Sequence, residues 1–199
     1  MAPPRKHETD AILDATRALV LAEGPRAASV SAIAAATGAP AGTLYHRFGN
    51  RDGVVTAAWL RALQRFQAGV MAADGDDPLE VCVAMAAAAV TFARDRNEDA
   101  RLLLTIRPDD LRDADPDPSF TATLADMNAP LMARLEELTR ALYGRADARR
   151  RDVVARAVVD LPYAVIRRHA QDDPWPRWLA ADVETAVRAL LTSYSSKTS

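Results

Sequence analysis

Apolar residues recur at three- and four-residue steps along nearly the whole chain, and this spacing constrains the fold more than any other feature of the sequence. Alanine and leucine are abundant, and the sequence has no run of alternating β-branched residues of the kind that favours a strand. The pattern therefore predicts an all-α protein.

Helix breakers and capping residues divide this pattern into separate elements. Gly24-Pro25 ends the first apolar stripe, and Ser29 and Gly38 are residue types that cap the two ends of a short helix. Asp and Pro dominate the segment 108–118, which is predicted to be a solvated loop. The pattern predicts helices over about 8–23, 30–37, 40–47, 51–73, 79–95, 98–106, 119–143, 147–171 and 178–194.

Two short helices joined by a glycine turn and packed on the first helix would form a helix-turn-helix. In that motif the second short helix docks one face on the core and exposes the other face to the major groove of DNA. Leu44 and Phe48 are four residues apart and can point inward together. Six residues then fall elsewhere around the helix: Ala41, Gly42, Thr43, Tyr45, His46 and Arg47.

The composition indicates a soluble protein of the reducing cytoplasm with one or two domains. The single cysteine, Cys82, excludes an intramolecular disulfide and a multi-cysteine zinc site. The sequence contains no apolar run long enough to span a membrane, and its start lacks the apolar core of a signal peptide. Its net charge is −2, and residues 1–56 hold six basic and five acidic side chains, so the N-terminal segment is slightly basic and the remainder acidic.

An enzyme is not expected. The three histidines, His7, His46 and His169, are scattered, and no HExxH, GxSxG or phosphate-loop motif occurs. We predict no catalytic residues, no metal site and no cofactor.

The segments Ser31–Gly38 and Gly42–Phe48 together resemble the DNA-binding signature of TetR-type transcriptional regulators, and Asn50-Arg51-Asp52 resembles the start of that family's fourth helix. The resemblance covers about residues 8–60. It implies a helix-turn-helix domain at 1–55, a connecting helix at about 51–73, and a helical effector-binding and dimerisation domain at 56–199. By the same resemblance, the chain would bind a palindromic double-stranded DNA operator as a homodimer. It would act as a repressor that a small apolar or amphipathic effector releases.

The resemblance also implies roles for single residues. Thr43, Tyr45 and His46 would contact bases or phosphates, and Ser29 and Arg51 would meet phosphates near helix N-termini. Arg5 and Lys6 would add sequence-independent attraction. Arg47 could pair with an acidic side chain or with a phosphate. The predicted DNA-binding residues are Ser29, Pro40, Ala41, Gly42, Thr43, Tyr45, His46, Arg47 and Arg51.

The recognition helix departs from the family pattern at its start. The family often has a hydroxyl residue and a longer polar residue where Pro40 and Ala41 stand. Proline has no side-chain group that could cap the helix, and alanine makes no bidentate base contact. Direct readout would then depend on Thr43, Tyr45 and His46, with Ala41 against a thymine methyl group. These departures leave open a second interpretation, a helical protein-interaction module whose helix-turn-helix does not bind DNA.

Two further sets of residues are predicted in the C-terminal part. Aromatic and methionine side chains suit an adaptable apolar effector pocket, although they suit a solid core equally well. The candidates are Trp59, Phe66, Met85, Phe92, Leu103, Met127, Met132 and Tyr163. The resemblance places the dimer face on the last two long helices, where the apolar stripes could instead be intramolecular core. The dimer candidates are Val154, Ala157, Val158, Leu161, Val165, Val183, Val187, Leu190 and Leu191.

Overall fold

The computed structural model describes residues 5–113 and 118–195, and every regular element among these residues is a helix. This confirms the all-α prediction. The α-helices in chain order are α1 (Arg5–Glu23), α2 (Val30–Thr37), α3 (Ala41–Phe48), α4 (Arg51–Met71), α5 (Pro78–Asp95), α6 (Asn97–Thr105), α7 (Pro108–Asp113), α8 (Pro118–Tyr143), α9 (Ala148–Ala155), α10 (Leu161–His169) and α11 (Leu179–Ser195).

The loop predicted for 108–118 is wrong in its first half, because Pro108–Asp113 forms the short helix α7. Proline is well suited to the first helical position, and the carboxylates of Asp109 and Asp110 face the positive end of the helix. The backbone N–H of Arg107 also donates a 2.8 Å hydrogen bond to Asp110. Residues 114–117 lie outside the described part of the chain.

The helix predicted over 147–171 is divided by a π-helical turn at Arg156–Asp160, between α9 and α10. Pro162 is the reason. In an α-helix its ring would clash with the carbonyl group of Val158, four residues earlier, and the wider turn relieves this contact. Val159, within the π turn, is exposed.

The chain divides into two compact units. The first comprises the described residues of Met1–Gln64 and Glu98–Ala122. In this unit α1 packs against α2, and α2 against α3. Its fully buried core includes Ile12, Val20, Ile33, Leu44 and Val54.

The second unit comprises the described residues of Arg65–Asn97 and Thr123–Ser199. Here α5 packs against both α10 and α11. Asp77 caps the N-terminus of α5 and Asp147 that of α9, each by accepting a backbone hydrogen bond. The buried core of this unit includes Val81, Met85, Val90, Val153, Val154, Val187 and Leu191. Across the described part of the chain, no helix has the length and apolar character needed to cross a membrane.

Candidate nucleic-acid interface

The turn between α2 and α3 is held by local hydrogen bonds. Ser29 precedes α2 in an extended conformation, and its Oγ accepts a 3.1 Å hydrogen bond from the N–H of Ala32. Gly38 ends α2 at φ 71°, a left-handed conformation that favours glycine, and its N–H donates to the carbonyl of Ala34 at 2.9 Å. The predicted N-cap and C-cap of this helix are both confirmed, and together they fix the direction in which α3 leaves the turn.

The helix α3 presents one buried and one exposed face. Leu44 is fully buried, whereas Tyr45 is 55% exposed and His46 is also exposed. Thr43 and Arg47 are half-buried at the sides of the helix. Pro40, Ala41 and Gly42 are exposed at its start, where Pro40 occupies the N-cap position without a side-chain hydrogen bond. The exposed polar face predicted from the sequence is therefore present.

The corner between α3 and α4 is closed by Gly49, at φ 77°, and by Asn50, whose Oδ1 accepts a 2.8 Å hydrogen bond from the N–H of Gly53. A Cβ atom on Gly53 would lie only 1.9 Å from the carbonyl oxygen of Phe48. Glycine at this position therefore lets the first turn of α4 approach the end of α3 closely. This close contact explains why glycine, a poor helix former, occupies a position inside α4.

Two predicted phosphate-binding arginines have protein partners in the free chain. Arg51 pairs with the carboxylate of Asp52 and donates to the carbonyl of Pro25. Arg47 donates a 3.2 Å hydrogen bond to the hydroxyl of Thr9, on α1. These contacts hold Arg47 near the C-terminal end of α3 and Arg51 at the N-terminal end of α4. The side chains of Arg5 and Lys6 lie outside the described residues.

Behind this motif, α1 is joined to α6 by an ion pair with a buried carboxylate. Arg17 pairs with Asp99, which is 2% exposed, and donates to the more exposed carboxylate of Glu98 at 2.7 Å. Burial opposes the charge on Arg17, but the hydrogen bond to Asp99 and the charges of Asp99, Glu98 and Asp14 outweigh it and raise the pKa of the guanidinium. The indole N–H of Trp59 in α4 also donates to the carbonyl of Ile106 at 3.0 Å.

The glycine turn, the buried Leu44 and the exposed side of α3 with Tyr45 and His46 define a helix-turn-helix. Residues 12–58 match the family model described as bacterial regulatory proteins, tetR family. Structures described as TetR-type transcriptional regulators match almost the whole chain, so the chain has the fold of that class of regulator. The resemblance to TetR-type regulators seen in the sequence is confirmed.

Three of the similar structures illustrate the extent of the match, and each is 18% identical to the chain. A TetR-like transcriptional regulator from Rhodococcus sp. RHA1 has a TM-score of 0.71, with 96% of this chain and 97% of that chain covered. The ketosteroid transcriptional regulator KstR2 of Mycobacterium tuberculosis has a TM-score of 0.69, with 97% and 96% covered. The fatty acid degradation regulator FadR from Bacillus halodurans has a TM-score of 0.67, with 96% of both covered. No curated protein matches the chain by sequence.

The eight predicted pocket residues are divided between the two compact units. Trp59 and Leu103 belong to the first unit, and the other six belong to the second. Trp59, Met85 and Phe92 are buried, and the ring of Phe92 contacts that of Phe66 edge-to-face at 5.4 Å; Phe66, Leu103 and Met127 are half-buried. Met132 and Tyr163 are 52% and 49% exposed. The assignment of these eight residues to an effector pocket stays a prediction.

Most of the predicted dimer residues are buried within their own chain. Val154, Ala157, Val158, Val183, Val187 and Leu191 are all less than one-tenth exposed. They form the core of the second unit, so a partner chain cannot reach them in this conformation, and we revise the prediction for these six. The other three, Leu161, Val165 and Leu190, are half-buried.

An open cleft of about 380 Å³ lies between α10 and α11. Leu161, Val165 and Ala186 line this cleft together with Trp178, which is 56% exposed and contacts His169 edge-to-face at 5.9 Å. Val159 and Trp178 are exposed apolar residues that were not predicted from the sequence to lie on a dimer face. The sequence feature that could have identified them is a large apolar side chain that lies next to the apolar stripe of a helix but is not part of that stripe.

Proposed function

We propose that the chain is a DNA-binding transcriptional regulator that acts as a repressor. It binds a palindromic operator as a homodimer and is released by a small apolar or amphipathic effector. The observation that carries the proposal is the division of α3 into a buried Leu44 and an exposed face with Tyr45 and His46, in a segment that matches the TetR family model. A helix can enter the major groove while the protein stays folded only if one of its faces packs on the protein core and the opposite face is exposed to solvent.

The proposed contacts follow from the chemistry of the exposed groups. Thr43, Tyr45 and His46 offer hydrogen-bonding groups to bases or phosphates, and the methyl group of Ala41 suits a thymine methyl. The guanidinium of Arg51 lies in the first turn of α4, where the helix dipole also favours an anion. A phosphate at this point would join Asp52 as a second anionic partner or replace it.

A homodimer is part of the proposal because a palindrome presents the same half-site twice. Two recognition helices entering successive major grooves must be separated by about 34 Å. We propose that the copies associate through the apolar residues of α10, α11 and the segments before them that their own chain leaves exposed or half-buried. We call this surface the α10–α11 face and define it by Val159, Leu161, Tyr163, Val165, Trp178, Ala186 and Leu190.

The effector is proposed to bind the part of the chain after residue 55, while residues 1–55 bind DNA and α4 connects the two. The compact units divide the chain differently, because Glu98–Ala122 belongs with the N-terminal helices. Two similar proteins are a fatty acid degradation regulator and a ketosteroid transcriptional regulator, and both names refer to apolar molecules, which supports an apolar effector for this chain. An effector lowers DNA affinity only by the difference between its affinities for the two conformations.

DNA binding is tested by selecting duplexes from a randomised library with the purified chain, followed by fluorescence anisotropy on the enriched duplex. Arg51→Ala should weaken binding and flatten its salt dependence by about one counterion. Arg94→Ala is the matched control, because Arg94 also pairs with the aspartate that follows it, Asp95, and should leave binding unchanged. Tyr45→Phe should weaken binding about fivefold, the loss of one hydrogen bond of about 1 kcal/mol.

A chain that enriches no duplex would favour the protein-interaction module over the regulator. Effector release is tested separately, by adding a fatty acid or a steroid to the complex with the enriched duplex. DNA binding that is indifferent to every compound that binds the protein would remove the effector from the proposal.

A further inference from the structure

Gly42 is a helical glycine that the fold does not require. It is the second residue of α3, its backbone is not left-handed, and a Cβ atom built on it would meet nothing within 4 Å. Gly53 is the opposite case, since its added Cβ would collide with the Phe48 carbonyl. Glycine inside a helix costs up to about 1 kcal/mol relative to alanine. The packing of the free chain therefore gives no reason for glycine at position 42.

The position of Gly42 on the helix indicates what the missing side chain leaves room for. Residues three and four apart share a helix face, so Gly42 lies on the same side as Tyr45 and His46. Both of those side chains are exposed, as is Ala41 beside the glycine. On this side of α3, the surface of the first turn at Gly42 is formed by backbone atoms, whereas the next turn carries the long side chains of Tyr45 and His46.

We propose that Gly42 determines the affinity and specificity of the interface, because the backbone of α3 lies against the duplex there with no space for a side chain. This inference rests on the proposed DNA-binding function. The groove wall or a base edge would touch the helix at Gly42, while Tyr45 and His46 reach further along the groove. A methyl group at position 42 would hold the helix away from the duplex, and the hydrogen bonds of Thr43, Tyr45 and His46 would lengthen together.

Gly69 supplies a matched control. It lies near the C-terminal end of α4, is exposed, and has no atom within 4 Å of an added Cβ, so alanine fits there as easily as at position 42. Both Gly42→Ala and Gly69→Ala should leave the thermal midpoint of the free protein unchanged or raise it, because alanine is the better helix former. Only Gly42→Ala should change DNA binding.

The test measures thermal unfolding of both variants and their affinity for the duplex enriched by the wild-type chain from a randomised library. We expect Gly42→Ala to lose roughly tenfold in affinity, which is about 1.4 kcal/mol shared among the weakened hydrogen bonds of Thr43, Tyr45 and His46. Gly69→Ala should bind as the wild type does. On a random-sequence duplex of the same length, the loss for Gly42→Ala should be smaller, because a non-specific complex depends mainly on phosphate charge.

Three results would overturn the inference. If Gly42→Ala binds the enriched duplex as tightly as the wild type, the duplex does not touch the helix there. If Gly42→Ala lowers the thermal midpoint, the fold requires the glycine and its effect on binding is indirect. If the wild-type chain enriches no duplex, the proposed DNA-binding function fails and this inference fails with it, whereas the first two results leave that function intact.

Discussion

Single residues fix where the short helices of the DNA-binding motif begin and end. Ser29 and Gly38 cap α2, and Asn50 accepts the first hydrogen bond of α4. These roles were predictable from the sequence because capping depends on local residue type and backbone conformation. The partners of Arg47 and Arg51 were not, since Thr9 and Pro25 are brought to them only by the packing of α1 and by the turn that follows it.

At this scale, we predict that the thiol of Cys82 is inert in the folded protein. Cys82 is fully buried, and burial raises the pKa of its thiol to about 12. The thiolate is the reactive form, so a thiol reagent should label the native chain slowly even at mildly alkaline pH and the urea-unfolded chain at once. Fast labelling of the native chain would contradict the burial of this residue.

The same shift predicts a loss of stability in alkali. Because the folded pKa lies above the ordinary value of 9.0, the stabilisation is complete below pH 9 and is lost as the pH rises towards 12. Replacing the thiol removes this contribution, so the urea midpoint of Cys82→Ala should change less between neutral and alkaline pH than that of the wild type.

At the scale of elements, the helices were predictable and the irregular pieces between them were not. Long apolar periodicity located α5, α8 and α11 to within two residues of their observed ends. The helix α7 was missed because its Asp-rich, Pro-rich sequence is typical of loops, although the same residues favour a helix N-terminus. The π turn was missed because the apolar stripe continues through Pro162 and hides the backbone change.

The pairing of α1 with α6 yields a prediction for stability. Asp99→Asn removes a buried carboxylate from Arg17 and leaves the guanidinium with weaker partners, so the free energy of unfolding should fall by about 1–3 kcal/mol. Glu98→Gln is the matched control on the same arginine, and because Glu98 is 61% exposed its removal should cost less than about 1 kcal/mol. Urea unfolding measures both, and equal losses would show that burial of Asp99 is unimportant.

At the scale of the whole molecule, the sequence could not separate core from interface. The helices α10 and α11 carry apolar residues on more than one side, and periodicity alone does not say which side faces the chain's own core. The structure shows which side of α11 faces the core: α11 packs against α5, and its residues Val183, Val187 and Leu191 are buried. What remains exposed, Val159, Tyr163 and Trp178, was not part of the predicted dimer set.

The α10–α11 face predicts how oligomeric state responds to a charge. Tyr163→Arg places a cation from each copy on this face, so the chain of 21.5 kDa should shift from dimer to monomer in light scattering after gel filtration. Met132→Arg is the control, since Met132 is equally exposed but lies on α8. A dimer that survives Tyr163→Arg and is lost with Met132→Arg would move the interface to α8.

The claim on which the account depends is that the exposed face of α3 meets DNA, while the α10–α11 face meets a second copy of the chain. Photo-crosslinking tests both with one probe, p-azidophenylalanine, placed in turn at Tyr45 and at Tyr163, two tyrosines of similar exposure. From position 45 we expect crosslinks to the enriched duplex at two symmetric points about one helical turn apart, and from position 163 crosslinks to a second protein chain. A probe at Tyr45 that never reaches DNA, or one at Tyr163 that does, would contradict the account.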